Sequence, residues 1–417
     1  MRDMLGREDS ISVGEAQRRM AEHFSFKEPV SVLVPIGDSY GRVLTHEIYS
    51  SEDLPAFPRS TVDGFAVVAA STFGATENLP SYLNVTHEIF MGAKPEFSLR
   101  KGTAAKIPTG GMIPEGSDAV VMLEHVQSAH EGLIEVLKPA APGENIIAAG
   151  EDVRRGDLIL KRGHRLRPQD VAALAGIGIT EVTVYEKPRV SIISTGDEIV
   201  PAGSSLLPGQ VRDINSYNLA GLILENGGIP LRKGIFRDVY ADIRDAVEES
   251  LEESLMVLIT GGSSVGIMDM TAKIIGSLGS PGVIFHGVTL KPGKPTIGGV
   301  VNGISVFGLP GHPAAVTVCF ELFIKPVLKM LTGIREKGFL KQRTVKARMA
   351  RNVSSSAGRE EHVRVALEDR DGELWAEPVL GKSGLIRTLV MADGTVAIPA
   401  HVRGLEEGQT VEVVLFS

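Results

Sequence analysis

The sequence predicts a multidomain protein of the α/β plus β class, in which a doubly wound α/β domain is flanked by an irregular β domain, a small α+β domain and a C-terminal β-barrel domain. Three observations support this. The chain has 417 residues, of which 43% are hydrophobic, enough for more than one core. Strand and helix patterns alternate between residues 188 and 334. Short β-branched and aromatic runs bounded by Gly, Pro and Asn dominate the segments on either side.

The first predicted element is a helix from Ser12 to about Phe24. Val13, Ala16 and Met20 recur at helical spacing, and Ser12 followed by Glu15 three residues later is typical of a capping box. We expect residues 1–30 to place this helix against the central domains.

The irregular β domain is predicted over residues 51–142, from the runs FAVVAA, SYLNVTHEIF, AAKIP, DAVVMLE and LIEVL. The small α+β domain is expected to combine residues 31–50 with residues 143–187. In its second part a hairpin-like GDLILKRGHRL precedes a helix opened by Pro168 and a strand, EVTVY.

The α/β domain is predicted over residues 188–334. The strands RVSIIS, IPLRKGIF, LMVLIT and VIFHGV alternate with the helical segments NSYNLAGLILENGG, DIRDAVEESLEES and MTAKIIGSLG, the first of them capped by Asn215. Such alternation is typical of parallel strands joined by crossover helices. A hairpin through Asn302 and Gly303 and a long helix from about Pro313 to Leu331 complete the domain, and Pro326 is the one position where we expect any bend of that helix.

The last part of the chain, residues 335–417, returns to short alternating runs. Asp-Gly turns at Asp371 and Asp393 separate them, which is typical of a small β-barrel or sandwich. We take the barrel as the expectation.

Composition limits the classes of function. The net charge is −8 and no Lys/Arg run is present, so we expect no nucleic-acid partner. No segment approaches the roughly 20 apolar residues of a membrane span, and the N-terminus lacks the apolar core of a signal peptide. The single cysteine, Cys319, excludes an internal disulfide and fits a reducing compartment. We therefore expect a cytoplasmic protein without a membrane partner, in which Cys319 is a buried small hydrophobe.

The loop TGGSSVG follows the strand LMVLIT and provides Gly261, Gly262, Ser263 and Ser264. Unshielded backbone N–H groups and serine hydroxyls at the end of a strand favour phosphate binding. A tight turn that binds nothing is the alternative. Asp269 is either an N-cap or a carboxylate that faces a metal bridging phosphate oxygens.

A second loop of this kind follows RVSIIS and contains Ser194, Thr195, Gly196, Asp197 and Glu198. Adjacent carboxylates beside hydroxyl donors suit Mg²⁺, which binds few carboxylates and keeps water and phosphate as its other ligands. A solvated acidic turn is the alternative. The location of both loops on strands of one sheet favours a shared site.

Two further segments carry candidate residues. In LKPGKP, Lys291 and Lys294 lie beside prolines and a glycine that form a rigid backbone, so they can present two cations to an anionic ligand. The alternative is a structural turn whose lysines are solvated. In GLPGHP, His312 is expected to be a capping or packing residue rather than a catalytic base.

The order of RSTVDGFA, IPTGG, EGSDAVV, GEDV, STGDE, VRDINSY, TGGSSVGIMD, KPGKP and GLPGHP resembles the molybdopterin molybdenumtransferase family, which includes bacterial MoeA and the E domain of gephyrin. The resemblance covers essentially the full chain. It implies a molybdopterin-binding, MogA-like α/β domain and an elongated homodimer with a cleft built from both chains. It also implies Mg²⁺-assisted insertion of molybdate (or tungstate) into adenylylated molybdopterin with hydrolysis to AMP. The molybdopterin adenylyltransferase is a candidate partner.

The resemblance also implies roles for individual residues. Catalytic roles are implied for Asp63, Thr109, Asp152, Glu198, Asp238 and Asp269, and Mg²⁺ ligation for Glu198 and Asp269. Substrate binding is expected of Ser194, Thr195, Gly196, Gly261, Gly262, Ser263, Ser264, Lys291, Lys294, Arg364 and Ser383. The chain departs from the pattern at Gly287, where many relatives have a basic residue, and at His312, where many read GLPGNP.

Two other functions stay open at this stage. The single domain of the molybdopterin adenylyltransferase resembles residues 188–331, although the long β-rich additions argue against that enzyme. A scaffold related to the gephyrin E domain that has lost catalysis is the second alternative, and the retained acidic residues argue against the loss.

Overall fold

The computed structural model describes residues 10–23, 29–261, 265–334 and 343–416. Its first helix, α1 (Val13–His23), confirms the predicted one, of which Phe24 lies outside the described residues. Ser12 Oγ accepts the backbone N–H of Glu15 at 3.1 Å, as expected of an N-cap. The Glu15 carboxylate accepts from the side chains of Arg18 and Arg19. Val13, Ala16 and Met20 are buried in the core of the central sheet, which fixes α1 against it.

Two short strands, β1 (Ser31–Pro35) and β2 (Ile48–Tyr49), come next, and their partners follow much later in the chain. An irregular β region lies between. Its strands are β3 (Arg59–Ser60), β4 (Gly64–Val67), β5 (Ser81–Glu88), β6 (Thr103–Ile107), β7 (Ala119–Met122), β8 (Val126–His130), β9 (Leu133–Val136) and β10 (Ile146–Ile147). Six of them form a sheet in the order β7-β4-β6-β5-β9-β8, and β3 pairs with β10. The predicted irregular β region is confirmed, with β3, β8 and β10 in addition.

The small α+β part is completed by β11 (Leu158–Leu160), α2 (Pro168–Gly176) and β12 (Glu181–Tyr185). β11 pairs with β2 and β12 with β1, both antiparallel. The predicted hairpin in GDLILKRGHRL is therefore wrong, because its two arms pair with residues 43–49 instead. Leucines from both arms share a core with Leu44, and this long-range packing overrides the local pattern.

The central sheet is formed by β13 (Arg189–Thr195), β16 (Ile229–Phe236), β17 (Met256–Gly261), β18 (Pro281–His286), β20 (Ile297–Val301) and β21 (Ile304–Leu309). Three short strands accompany it, namely β14 (Ile199–Val200), β15 (Val211–Arg212) and β19 (Leu290–Lys291). The helices are α3 (Asn215–Glu225), α4 (Tyr240–Glu253), α5 (Val265–Leu278), α6 (Pro313–Cys319) and α7 (Lys325–Leu331). Two separate cores, one with α3, α6 and α7 and the other with α4 and α5, cover the two faces, so the predicted doubly wound arrangement is confirmed.

The strand order is β16-β13-β17-β21-β20-β18. β13, β16, β17 and β21 are parallel neighbours, whereas β20 runs antiparallel to both β21 and β18. The predicted hairpin is confirmed, with φ of 52° at Asn302 and 89° at Gly303. VIFHGV, which we expected among the parallel neighbours, is the edge strand β18, because the hairpin places β20 between it and β21.

Two predicted helix starts are wrong. α3 begins at Asn215 itself, and it is Asp213 Oδ1 that accepts the backbone N–H of Ser216 at 3.0 Å. α5 begins at Val265, so Asp269 lies inside the helix and is not its N-cap. Asn215 is left free to use its side chain elsewhere, as described below.

The long predicted helix is also modified. A π-helical turn, Phe320–Ile324, separates α6 from α7, just before Pro326. Proline has no N–H and its ring crowds the carbonyl one turn earlier, so the preceding turn widens.

The C-terminal strands are β22 (Thr344–Met349), β23 (Val353–Ser354), β24 (Glu360–Arg370), β25 (Glu373–Pro378), β26 (Gly394–Ile398), β27 (Gly404–Leu405) and β28 (Thr410–Leu415), with a short helix α8 (Arg387–Val390). Five of them close a ring in the order β24-β25-β22-β28-β26 and back to β24, which confirms the barrel. The Asp371 turn joins β24 to β25, whereas Asp393 precedes β26 and accepts the backbone N–H of Leu367. β19 adds to β24, so the central part and the barrel share one sheet edge.

Among the described helices, none has both the length and the apolar character to span a membrane. The predicted domain boundaries stay a prediction.

Gly298 on β20 offers a test of the packing between β18 and β20. A Cβ at this position would lie 2.2 Å from Cε1 of Phe285, its register partner. We expect Gly298→Ala to destabilise the protein by about 1–3 kcal/mol through overpacking, seen as a lower thermal midpoint in far-UV circular dichroism. Gly221→Ala is the matched control, because Gly221 in α3 has open space around it and should gain up to about 1 kcal/mol. An unchanged midpoint in Gly298→Ala would contradict the packing.

Candidate active site

The two loops that we identified in the sequence, STGDE and TGGSSVG, both begin at the carboxyl edge of the central sheet. Thr195 at the end of β13 is in register with Gly261 of β17 on one side and Phe236 of β16 on the other. The loops that follow these strands therefore leave the sheet side by side, as the crevice of an open α/β sheet requires. Of the TGGSSVG loop, Gly261 is described, whereas Gly262, Ser263 and Ser264 lie outside the described residues.

Carboxylates concentrate at this edge. Asp197 and Glu198 follow β13, and Asp238 follows β16. Burial, together with the negative charges of Asp197 and Glu198, raises the pKa of Asp238. Asp238 Oδ1 is buried without a hydrogen-bond partner. The only cation paired here within the described residues, Arg237, lies 3.5 Å from Asp197 in an exposed pair that contributes little.

These acidic groups suit a hard cation that keeps other ligands. Within the described ranges, no three imidazole, thiolate or carboxylate groups converge on one point as a complete metal site. Glu198 is exposed, and Asp269 is half-buried in the first turns of α5. Mg²⁺ needs only one or two carboxylates when phosphates and water supply the rest. The unpartnered Asp238 Oδ1 is an uncompensated negative group that such a cation would stabilise, so the donor set fits it.

Two other buried polar atoms at the edge have no partner. They are Thr195 Oγ1, in a residue 1% exposed, and Asn215 Oδ1, in a residue 9% exposed. The Asn215 Nδ2 group is fully used, because it donates to Thr260 Oγ1 at 3.0 Å and to the carbonyl of Gly311 at 2.9 Å. A buried polar atom without a partner costs about 1–3 kcal/mol. Such atoms at the end of parallel strands are available to a bound ligand or an ordered water.

Ser194 holds the edge together rather than facing outward. Its hydroxyl donates to Asp213 Oδ2 at 2.9 Å, and it is only 2% exposed. Asp213 in turn accepts from the N–H of Ser216 at the start of α3. Sequence reasoning named neither Asp213 nor Asn215 as a site residue. The signal was the VRDINSY segment, which has polar residues between two apolar elements.

A cavity of about 540 Å³ adjoins the Gly196 loop. Asp213 and Ser216 line one side of it. On another side the guanidinium of Arg232 stacks on the ring of Tyr217, 4.0 Å from the ring centroid. The cavity thus offers a flat cation–π wall beside polar groups, which suits a planar heterocycle.

The LKPGKP segment connects the sheet to the barrel. Lys291 Nζ lies 2.7 Å from Glu361 Oε1 of the barrel, so one of the two predicted cations already has a counter-ion. Lys294 has no ion-pair partner in the described part of the chain. Gly287, where the resemblance led us to expect a cation, has φ of 88° and accepts the N–H of Ile11. A β-branched or long side chain there is disfavoured by that φ.

Cys319 lies under this segment. It is fully buried, and burial raises the pKa of its thiol to about 12, so the thiol stays protonated. The predicted packing role is confirmed.

Arg364 of β24 is a buried cation. It is 7% exposed, its Nη2 donates to the carbonyl of Gly381 at 3.0 Å, and its Nε is buried without a partner. Burial lowers the pKa of Arg364, but guanidinium remains protonated in proteins. No carboxylate pairs with it among the described residues. An unpaired buried guanidinium is a ready anion-binding group.

Ser383 lies in the loop that Arg364 holds. Its Oγ is 2.9 Å from His312 Nδ1. His312 occupies the N-cap position of α6, but its side chain makes no capping bond, so of the two predicted roles, capping or packing, capping by the side chain is wrong. The imidazole bonds Ser383 instead of the backbone N–H groups at the start of α6.

Asp63, Thr109 and Asp152 form a separate group in the β region. Asp63 Oδ1 accepts both the N–H of Thr109 at 2.7 Å and its hydroxyl at 3.1 Å. Asp152 is exposed, and its N–H donates to the carbonyl of Leu54. Across the described ranges no hydrogen bond or ion pair joins these three residues to the central sheet. The roles that the resemblance implies for them stay predictions.

Family models match three consecutive parts of the chain. They are the MoeA N-terminal region (domain I and II) at residues 11–178, the probable molybdopterin binding domain at 191–330 and the MoeA C-terminal region (domain IV) at 346–416.

Full-length relatives agree with these matches. The molybdopterin molybdenumtransferase of Bacillus subtilis is 35% identical over 416 residues, which cover 99% of this chain and 95% of that protein. A putative molybdopterin biosynthesis protein of Methanocaldococcus jannaschii is 35% identical over 92% of this chain and 91% of its own length. The crystal structure of the molybdopterin biosynthesis MoeA protein of Pyrococcus horikoshii has a TM-score of 0.83 at 33% identity, covering 98% of this chain and 100% of that chain.

Asp238 gives a pH-dependent test of the acidic edge. Its pKa is raised in the folded state, so its charge costs stability above that raised pKa, and the cost disappears below the ordinary carboxyl pKa. We expect Asp238→Asn, without divalent cations, to gain a few tenths to about 1 kcal/mol at pH 7. The gain should vanish as the pH falls below about 4. Thermal midpoints across pH measure it.

Glu252→Gln removes an exposed charge from α4 and serves as the control, with no expected change. A midpoint at pH 7 that is lower in Asp238→Asn than in the parent would mean that the pKa of Asp238 is not raised in the folded protein.

Proposed function

The chain belongs to the molybdopterin molybdenumtransferase family, and from this premise we propose that it inserts molybdenum into adenylylated molybdopterin with release of AMP. Membership over nearly the whole chain makes it an enzyme of molybdenum cofactor biosynthesis. The adenylyltransferase and scaffold alternatives are not favoured, because the match extends through the N-terminal and C-terminal regions of molybdenumtransferases.

The observation that supports this position for the substrate is the set of unpartnered polar atoms at the sheet edge. Asn215 Oδ1 is an acceptor, and an N–H of a pterin ring would satisfy it. Thr195 Oγ1 can donate to a phosphate oxygen. Each bond that the substrate supplies removes the cost of an unpaired buried group, which favours the bound state by about 1–3 kcal/mol.

The nucleotide and its phosphates would occupy the crevice beside these atoms. Gly196 itself has no side chain to block close approach of a phosphate, and the Tyr217–Arg232 wall can stack on a planar ring. Asp238 Oδ1 is unpartnered, and burial beside the negative Asp197 and Glu198 raises the pKa of Asp238, which favours uptake of a proton. It is therefore the group that we propose accepts the proton of the water that cleaves the phosphoanhydride.

We propose Mg²⁺ as the cofactor, held by Glu198 and Asp269. When bound, it neutralises charge on the phosphates. Burial, and after it the negative charges of Asp197 and Glu198, raise the pKa of Asp238, and this cost of an ionised Asp238 supports a cation at this edge.

Molybdate, or tungstate of nearly the same size and charge, would bind as substrate where the barrel meets the central sheet. Arg364 and Lys294 supply positive charge without carboxylate partners among the described residues, and Ser383 supplies a hydroxyl. Lys291 contributes to this site by fixing β19 to the barrel through Glu361. Holding the dianion in place offsets its repulsion by the dithiolene sulfurs.

We further propose a homodimer in which Asp63, Thr109 and Asp152 act in the site of the partner. The absence of hydrogen bonds between this group and the central sheet, across the described ranges, supports that arrangement. The adenylyltransferase, which makes the proposed substrate, is a candidate partner. The cytoplasmic location stays a prediction.

The reaction is tested by AMP release from adenylyl-molybdopterin in the presence of Mg²⁺. We expect molybdate to stimulate release, and Asp269→Ala to lower it at least about 100-fold through loss of the cation site. Glu252→Gln should keep the activity of the parent. An adenylyltransferase would instead form adenylyl-molybdopterin from ATP, and unchanged turnover in Asp269→Ala would remove that residue from the mechanism.

The shared site is tested by mixing two inactive variants. Thr109→Ala and Asp269→Ala lie in the two separate groups, so a mixed dimer has one site in which both changes fall and one intact site. If subunits exchange at random, half of the dimers are mixed, and we expect about a quarter of the parent activity to return. Analytical ultracentrifugation checks the dimer. Failure of a mixture of confirmed dimers to regain activity would place both groups in one subunit.

A further inference from the structure

His312 connects two parts of the proposed molybdate site. It follows β21 at the carboxyl edge, directly after Gly311, whose carbonyl accepts from Asn215. Its Nδ1 lies 2.9 Å from Oγ of Ser383, in the loop between β25 and α8, which we call the barrel loop. Gly384 lies against the same ring, since a Cβ there would be 3.5 Å from His312 Cδ2.

The barrel loop is held from both sides. Arg364 Nη2 donates to the carbonyl of Gly381, and the N–H of Ala314 donates to the carbonyl of Ser383 at 3.2 Å. These bonds fix the backbone of the loop but leave the Ser383 hydroxyl able to rotate. His312 is the one described side chain that bonds that hydroxyl.

The direction of the His312–Ser383 bond decides what the serine can do. If Nδ1 accepted the serine proton, Ser383 would present only lone pairs to its surroundings, and these repel an oxyanion. If Nδ1–H donates to Oγ, the hydroxyl proton is free to donate to an oxyanion. Only the second arrangement suits an oxyanion site beside the buried cation Arg364 of β24, which donates to Gly381 of the same loop.

We propose that His312 is a positioning residue for the oxyanion. Its Nδ1–H donates to Ser383 Oγ and directs the serine hydroxyl proton toward molybdate bound beside Arg364. This inference rests on the proposed function, and it assigns His312 an effect on molybdate rather than on the nucleotide part of the substrate.

Two substitutions at position 312 separate this role from simple packing. Leucine places carbon atoms where the imidazole has Nδ1 and cannot donate. Asparagine places its Nδ2 group at the same number of bonds from Cα as Nδ1, so it can donate to Ser383 again. Since α6 begins at Pro313, neither change alters a helical residue.

Steady-state AMP release with molybdate and adenylyl-molybdopterin varied separately is the first measurement. We expect His312→Leu to raise KM for molybdate about 3- to 10-fold, the effect of one hydrogen bond. Its kcat and its KM for adenylyl-molybdopterin should stay within about twofold. His312→Asn should restore KM for molybdate to within about twofold of the parent. The double variant His312→Leu/Ser383→Ala should be no worse than Ser383→Ala alone.

Direct binding of molybdate to the substrate-free protein, by isothermal titration calorimetry, is the second measurement. We expect His312→Leu to weaken it about 3- to 10-fold. If the parent releases no AMP in response to molybdate, the proposed function fails, and calorimetry still decides the role of His312. Equal molybdate affinity in the parent and His312→Leu, no detectable binding by the parent, or failure of His312→Asn to restore binding would each overturn the inference.

Discussion

The site depends on a close approach between two strands at the carboxyl edge of the central sheet. Gly261 has φ of 146°, and a Cβ there would lie 1.8 Å from the carbonyl oxygen of Thr195 on the neighbouring strand. No side chain fits, so β13 and β17 stay paired to their last residues. The two loops that follow therefore begin side by side, which is why hydroxyl groups and carboxylates from distant parts of the sequence share one crevice.

A second connection carries this geometry toward the barrel. Asn215 donates to Thr260 and to Gly311, which ties the start of α3 to the ends of β17 and β21. The residue after Gly311 is His312, which reaches Ser383 in the barrel loop. Four residues, Asn215, Gly311, His312 and Ser383, thus connect the sheet edge to the proposed oxyanion site. Because both N–H groups of the Asn215 amide are used in these bonds, its Oδ1 is left without a partner, and a ligand would supply the missing donor.

Features that follow from the spacing of apolar residues close together in the chain were predicted well. The alternation of strands and helices, the Asn302–Gly303 hairpin and the C-terminal barrel with its turn at Asp371 are patterns of neighbouring residues. Candidate residues at the ends of parallel strands were also predictable, because the topology places those ends at one edge. Features set by long-range packing were not. The arms of GDLILKRGHRL pair with residues 43–49, because buried leucines from distant segments share one core.

Contacts between distant side chains were equally out of reach of the sequence. A helix can begin at Asn215 or after it with the same apolar pattern, and only the bonds to Thr260 and Gly311 show which use of the amide is favoured. Nothing near Lys291 in the chain indicates Glu361 as its counter-ion. Such pairs form where two folded parts meet.

The two kinds of unpaired charge at this site lie on different parts of the fold. The acidic residues, among them Asp238 with its unpartnered Oδ1, belong to the sheet edge, and the buried Arg364 belongs to the barrel. Direct pairing between them would satisfy both and leave nothing for a ligand. Arg364 lies on β24 of the barrel, whereas the acidic residues lie on loops of the central sheet. The two kinds of charge therefore stay apart, and no ion pair joins them among the described residues. A cation can then bind on one side and an oxyanion on the other, and a substrate that contacts both brings the two reactants together.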